Sequence, residues 1–278
     1  VIALLACKMG QQQNSTAGDA SAAASAAAPQ AASEVSFIKR VPKSGTQSSG
    51  SRDITTKVVM NGKVSRERNV LDASLSVQAS DEFRITRAAI DVRELYTVSQ
   101  EGSGTEKKSV SPLAGSRYVV SRADDGKLSA LDSAGAQVAA AQLKLIKDEF
   151  GNVFERSTVG EFLPERPVKL GEKLVPPSDA VIKMLGLKDD GKTLFDGIEF
   201  ILGKVDGGVA SFDVTMTMTQ RLDAGLRLRA KLKGQIDLKT DGTWLTRVDL
   251  KGPIEVLDGS GATKATGELS ANLKETFQ

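Results

Sequence analysis

The 278 residues contain no histidine and a single cysteine, Cys7. Without histidine there is no His-based triad, no His general base, no HExxH zinc site and no His ligation of haem. A lone cysteine closes no intramolecular disulfide, so a domain outside the cytoplasm would depend on its core for stability. Aromatic residues make up 4% of the chain, nine Phe, two Tyr and one Trp, which is a thin supply of stacking platforms for sugars or single-stranded nucleic acid. Charge of one sign is missing too. Lys and Arg number 37 against 35 Asp and Glu, a formal +2 that creates no field to recruit nucleic acid. What remains is 40% apolar and 26% charged, a globular composition long enough for one large or two small domains.

The start of the chain reads Val1-Ile2-Ala3-Leu4-Leu5-Ala6-Cys7, an apolar run that ends in a small residue before the only cysteine. The run is too short to cross a bilayer. Leu4, Leu5, Ala6 and Cys7 resemble the Leu-x-Ala-Cys box of a bacterial lipoprotein signal, with a chance LLAC in a buried strand as the alternative. The resemblance implies cleavage before Cys7, diacylglycerol on its thiol and an acyl group on its new amino group. Residues 1–6 are then a signal-peptide remnant, and the chain is expected to begin inside that signal. Each buried methylene contributes about 0.8 kcal/mol, so two or three chains hold a protein on a membrane where one is marginal. The localisation expected is the bacterial envelope, outside the cytoplasm, with the outer membrane favoured over the inner. An acylated Cys7 has no thiol left for redox chemistry or nucleophilic attack.

Residues 7–34 are rich in Gln, Ser and Ala, with no apolar periodicity. They read as a tether whose root-mean-square reach is roughly 30 Å. Residues 35–278 read as one β-rich domain. Phe212, Val214, Met216 and Met218 alternate with polar residues, as do Leu226, Leu228, Ala230, Leu232, Ile236 and Leu238. The pattern continues through Trp244, Thr246, Val248, Leu250, Ile254 and Val256, and closes with Leu269, Ala271 and Leu273. Alternation of this kind means antiparallel strands with one face on a core and one face wet. Five pairs, Asn61-Gly62, Asp125-Gly126, Asp206-Gly207, Asp241-Gly242 and Asp258-Gly259, fall between apolar runs and read as hairpin turns.

The first half is less regular. Strands are expected over 54–60, 71–79, 83–98, 109–122 and 127–132, with a face switch between Arg87 and Ile90. Residues 35–41 are either a first strand or more tether, and 42–52 read as turn. Ala139, Leu143, Ile146 and Phe150 form a helical stripe stopped by Gly151. Residues 178–185 form a second helix, with Ser178 as N-cap and Gly186 as stop. Residues 162–174 make an extended, proline-fixed connection between the two.

Several motifs match a pattern without its context. Gly186 to Thr193 satisfies GxxxxGK[ST], yet a helix precedes it and a strand follows, the reverse of a phosphate-binding loop, and Asp189 and Asp190 would oppose phosphate. No nucleotide is expected. Ser36 to Lys39 matches SxxK, but the SDN and KTG companions are absent. Asp124-Asp125 and Asp189-Asp190 lie beside turn glycines and lack the spaced DxDxDG calcium loop. Arg227, Arg229, Lys231 and Lys233 share one face of a strand, and Arg247 and Lys251 have matching parity on the next. They read as a solvated outer face or as a contact for anionic headgroups or an acidic envelope polymer.

The fold expected is mainly β, a curved antiparallel sheet or incomplete barrel with one or two packed helices. That order of elements is similar to the half-barrel lipoproteins and lipoprotein chaperones of bacterial envelopes, which hold acyl chains between sheet and helices. The likeness is architectural and implies no particular binding residue. The functional expectation is a membrane-anchored, non-enzymatic lipoprotein that binds a hydrophobic ligand or an envelope partner, with no cofactor and no metal. The alternative is a structural or assembly module of the envelope with a closed core.

Overall fold

Alternation turns into strand along most of the chain. The structure is a computed structural model that describes residues 33–155, 162–185, 187, 191–222, 225–242 and 244–278. In chain order the strands are β1 (Glu34–Val35), β2 (Gln47–Met60), β3 (Lys63–Ser80), β4 (Ile85–Glu101), β5 (Lys107–Val110), β6 (Ser116–Arg122) and β7 (Leu128–Leu131). The helix α1 (Ala140–Phe150) runs into a 3-10 turn, Gly151–Phe154, and is followed by β8 (Val168–Lys169), β9 (Lys173–Leu174) and the helix α2 (Ser178–Met184). The last strands are β10 (Thr193–Asp206), β11 (Val209–Arg221), β12 (Arg227–Lys239), β13 (Leu245–Leu257) and β14 (Thr263–Phe277).

Two antiparallel meanders, β2-β3-β4 and β10 to β14, join where the last strand pairs with the second. The order across the large sheet is β7-β6-β4-β3-β2-β14-β13-β12-β11-β10-β9, with β5 also on β4, while β1 and β8 form a separate pair. The β14 to β2 junction runs from Thr266 opposite Val59 to Phe277 opposite Ser48. The molecule is therefore mainly β, one curved sheet that stays open, with two helices among the described residues.

The five Asn-Gly and Asp-Gly pairs expected as hairpin turns all lie between consecutive paired strands. Asn61 (φ 51°) and Gly62 (φ 74°) both take positive φ, as a two-residue type I′ turn requires. Burial follows the alternation closely. Leu228, Ala230, Leu232, Ile236 and Leu238 are buried on β12, whereas Arg227, Lys231, Lys233 and Gln235 are exposed. The apolar face of β2 and β10 to β14 packs under α2 and the connection 162–174. The same face continues across β4, β6 and β7, where a second cluster closes around Tyr118, Ile146, Phe150 and Phe154 beneath α1.

Curvature has identifiable causes. Gly234, Gly252 and Gly267 occupy apolar-parity positions on three successive strands, and an added Cβ there would lie 1.8, 1.7 and 1.8 Å from the carbonyl oxygens of Asp249, Lys231 and Lys57. Only glycine permits that approach, so these strands fold toward one another along a diagonal line. The β12 to β13 ladder also lapses opposite Gly252 and Pro253, between the pairs Ala230 with Ile254 and Lys233 with Lys251. Pro253 has no N–H to donate. In the first meander, register shifts between Val77 and Ala79 and between Asp72 and Ala73 bend β3 and β4. Ala88, Ala89 and Ile90 are consecutively buried at the first of these, the face switch expected there.

Four local expectations are corrected. Residues 47–52 are strand, because β14 and β3 supply ladders on both sides and outweigh the turn preference of Ser and Gly. Residues 109–122 are two strands, interrupted at 111–115, where Pro112 cannot donate and Gly115 has φ 73°. Gly151 does not stop α1; its φ of −56° carries the chain on into the 3-10 turn. Ser178 is the first helical residue, preceded by Pro177 as N-cap, and its Oγ accepts a 2.8 Å hydrogen bond from the Phe195 N–H, which fastens α2 to β10. Of residues 35–41 only Val35 is strand, while Phe37 turns into the core and stacks on Phe212 with ring centroids 6.1 Å apart.

Candidate functional site

Alternating strands with one apolar face, curled by glycines, leave a concave surface that two short helices must cover. α2 lays Ala180, Val181, Ile182 and Met184 on it. Leu185 and Leu187 continue past the helix, with the Leu187 N–H donating to the Ile182 carbonyl at 2.9 Å. Between them and the sheet lies a slot of about 50 Å³. Its walls include Phe195, Met218, Leu232, Leu250, Leu269 and Ala271 from strands β10 to β14. Among the described residues Arg52 is the single charged one on the lining.

A water-sized group needs about 10–15 Å³ by this measure, so the slot admits about four such groups. Its volume is far below the roughly 300 Å³ at which small-molecule pockets begin.

Polar side chains mark the border between the two apolar clusters. Arg52 on β2 forms an ion pair with Glu149 on α1, each side chain 21% exposed, and so links the sheet to the helix of the other cluster. The Nε of Arg52 is buried and makes no hydrogen bond. One row further on, Glu275 stands opposite Gly50 on the same face, and burial raises the pKa of its carboxyl while a hydrogen bond from Ser48 opposes the shift. Alternation alone points Arg52 inward, since it shares parity with Ile54 and Thr56. It escapes a sequence reading because residues 42–52 look like turn.

The residues singled out by sequence are scattered. Cys7, Gly186, Asp189 and Asp190 lie outside the described residues. Lys192 follows α2 and precedes β10, the helix-then-strand order that a phosphate-binding loop does not have. Ser36 is exposed and not helical. Asp125 accepts the Lys127 N–H at 3.0 Å within its turn. The six basic residues do share the outer face of β12 and β13, and two of them are held in ion pairs. Arg229 donates to Glu255 from Nε and Nη2 at 3.0 and 2.6 Å, and Arg247 pairs with Asp249 at 3.0 Å. Lys233 and Lys251 stand directly opposite each other in a depression that also holds Glu199 and Asp213, while Arg227 and Lys231 are exposed on other rows. On β12 the four cations follow one another at every second position with no acid between them, whereas on β13 Asp249 and Glu255 stand among Arg247 and Lys251.

Among the described residues no cluster of three or more Cys, Asp or Glu could hold a metal ion, and no helix is long and apolar enough to cross a membrane. No protein-family model matches the chain, and no curated protein matches it. Among solved structures the chain is similar to DynF from the dynemicin biosynthesis pathway of Micromonospora chersina, with 14% identity, 86% of this chain and 88% of that chain covered, and a TM-score of 0.20. A likeness at that level identifies neither the fold nor a ligand.

Proposed function

We propose that this protein is a lipid-anchored envelope protein whose β domain holds the chain of a slender amphiphile on its concave face, without catalysing a reaction. The observation that carries the reading is the slot itself, an apolar seam under α2 with the cation Arg52 on its lining. An acyl chain would replace water along Met218, Leu250 and Leu269, at about 0.8 kcal/mol for each methylene buried. Leu4-Leu5-Ala6-Cys7 followed by the tether supports anchorage through Cys7 outside the cytoplasm. Native mass spectrometry of the chain purified from cell envelopes tests the ligand, with a co-purified single-chain lipid expected and a bare protein mass contradicting it. Metabolic labelling with a fatty-acid analogue tests the anchor; label is expected on the wild type and not on Cys7→Ser, and label kept by that variant contradicts it.

A second reading has its own support. A volume of about 50 Å³ is close to a filled core, and a filled core suits an assembly module that presents its surface to other envelope proteins. The bare protein mass is the result that favours it.

A further inference from the structure

The β2 to β3 hairpin runs past the sheet that carries it. The β14 ladder reaches Val59 opposite Thr266, and the β4 ladder reaches Ser65 opposite Glu101, so Met60, Asn61, Gly62 and Lys63 lie beyond the ladders on both flanks. The projecting end is apolar where the fold does not need it to be. Val59 and Val64 face each other in register at 36% exposure each, and Met60 is 54% exposed. None of the three belongs to either apolar cluster.

Cations surround that tip. The segment 57–66, KVVMNGKVSR, holds Lys57, Lys63 and Arg66 and no acid. Lys57 and Arg66 are exposed and stand directly opposite each other, a like-charge pair that costs an isolated sheet stability. Glu268 beside Lys57 and Glu101 beside Ser65 are the acids of the adjoining strands, one row or more back from the tip. On the outer face of β12 and β13, by contrast, two cations are held in ion pairs, Arg229 with Glu255 and Arg247 with Asp249, and no cluster of exposed aliphatic side chains accompanies them.

We propose that this hairpin tip docks on an anionic phospholipid surface, with Val59, Met60 and Val64 entering the acyl boundary and Lys57, Lys63 and Arg66 at headgroup level. Aliphatic side chains ringed by cations are the chemistry of interfacial binding, since apolar burial and attraction to anionic headgroups add. A protein partner is the competing occupant, but the tip lacks the aromatic anchors and paired donors that protein interfaces favour. The inference uses neither the slot nor Cys7, so it stands or falls apart from the ligand reading.

The test uses the full chain carrying Cys7→Ser, so that no attached acyl chain contributes, with Met60→Trp as a reporter. The probes are vesicles of phosphatidylcholine alone and of phosphatidylcholine with phosphatidylglycerol in equal parts. The mixed vesicles are expected to shift the emission to the blue, bromine-labelled acyl chains to quench it, and salt to weaken binding. Two triple variants, Val59→Ser/Met60→Ser/Val64→Ser and Lys57→Gln/Lys63→Gln/Arg66→Gln, read by co-sedimentation, are each expected to lose at least about ten-fold in affinity for the mixed vesicles with an unchanged unfolding midpoint. Replacing Arg227, Lys231, Lys233 and Lys251 by Gln is expected to lose less than either. An unshifted emission, equal binding to both vesicle types, or wild-type binding by either triple variant overturns the proposal.

Discussion

Leu232 and Lys231 are neighbours in the chain and live in different media. Leu232 is buried against the concave cluster, and Lys231 is exposed on the other face of β12. Leu232→Ala is therefore expected to cost about 2–5 kcal/mol by loss of burial and a cavity that closes only in part, and Lys231→Ala under about 0.5 kcal/mol. Denaturant unfolding of both variants measures the contrast. Glu275 adds a pH dependence of definite sign. Its folded carboxyl titrates above the ordinary value because burial disfavours the charge, so folding gains from the neutral form at low pH and loses that gain as pH rises through the folded pKa. Glu275→Gln keeps an acceptor for Ser48 and carries no charge. It is expected to match the wild type in stability at pH below the ordinary carboxyl value and to exceed it at neutral pH; equal stabilities at neutral pH would contradict the assignment.

At the scale of elements, the sheet owes its bend to missing side chains. Gly252 is the sharpest case, for a Cβ there would sit 1.7 Å from the Lys231 oxygen. Gly252→Ala is expected to cost more than about 4 kcal/mol or to abolish folding, as read by thermal unfolding, because two strands must separate to admit one methyl group. The second half was legible from residues 209–277 almost throughout, since a period of two, punctuated by Asp-Gly pairs, has one structural meaning. The first half was less so. Ser48, Gly50 and Arg52 look like turn and are strand because β14 lies beside them, and that partner comes more than two hundred residues later. Local chemistry carries no trace of such a pairing. The basic row on β12 and β13 was legible as an outer face, yet the pairing of Arg229 with Glu255 depends on a register that no single strand specifies.

For the whole molecule, the junction of β14 with β2 ties the two meanders into one surface and spreads the apolar clusters along a single concave side. Arg52 and Glu149 bridge the clusters, and the slot opens on the side of that bridge covered by α2. Its existence was foreseeable only as an apolar face; its width depends on Leu185 and Leu187, which close it from beyond the helix. Ala271 on β14 is the smallest side chain among the described residues of its lining, and Ala271→Leu adds three carbon atoms to a space of about 50 Å³. The most direct test of chain binding in the slot is titration of a fluorescent fatty-acid analogue into the wild type and into Ala271→Leu, with denaturant unfolding as the control for fold. The reading proposed here predicts saturable binding by the wild type, an affinity at least about ten-fold lower in the variant, and a variant no less stable, since the added carbons fill existing space. Equal affinity in the two proteins, or no saturable binding by the wild type, would contradict it.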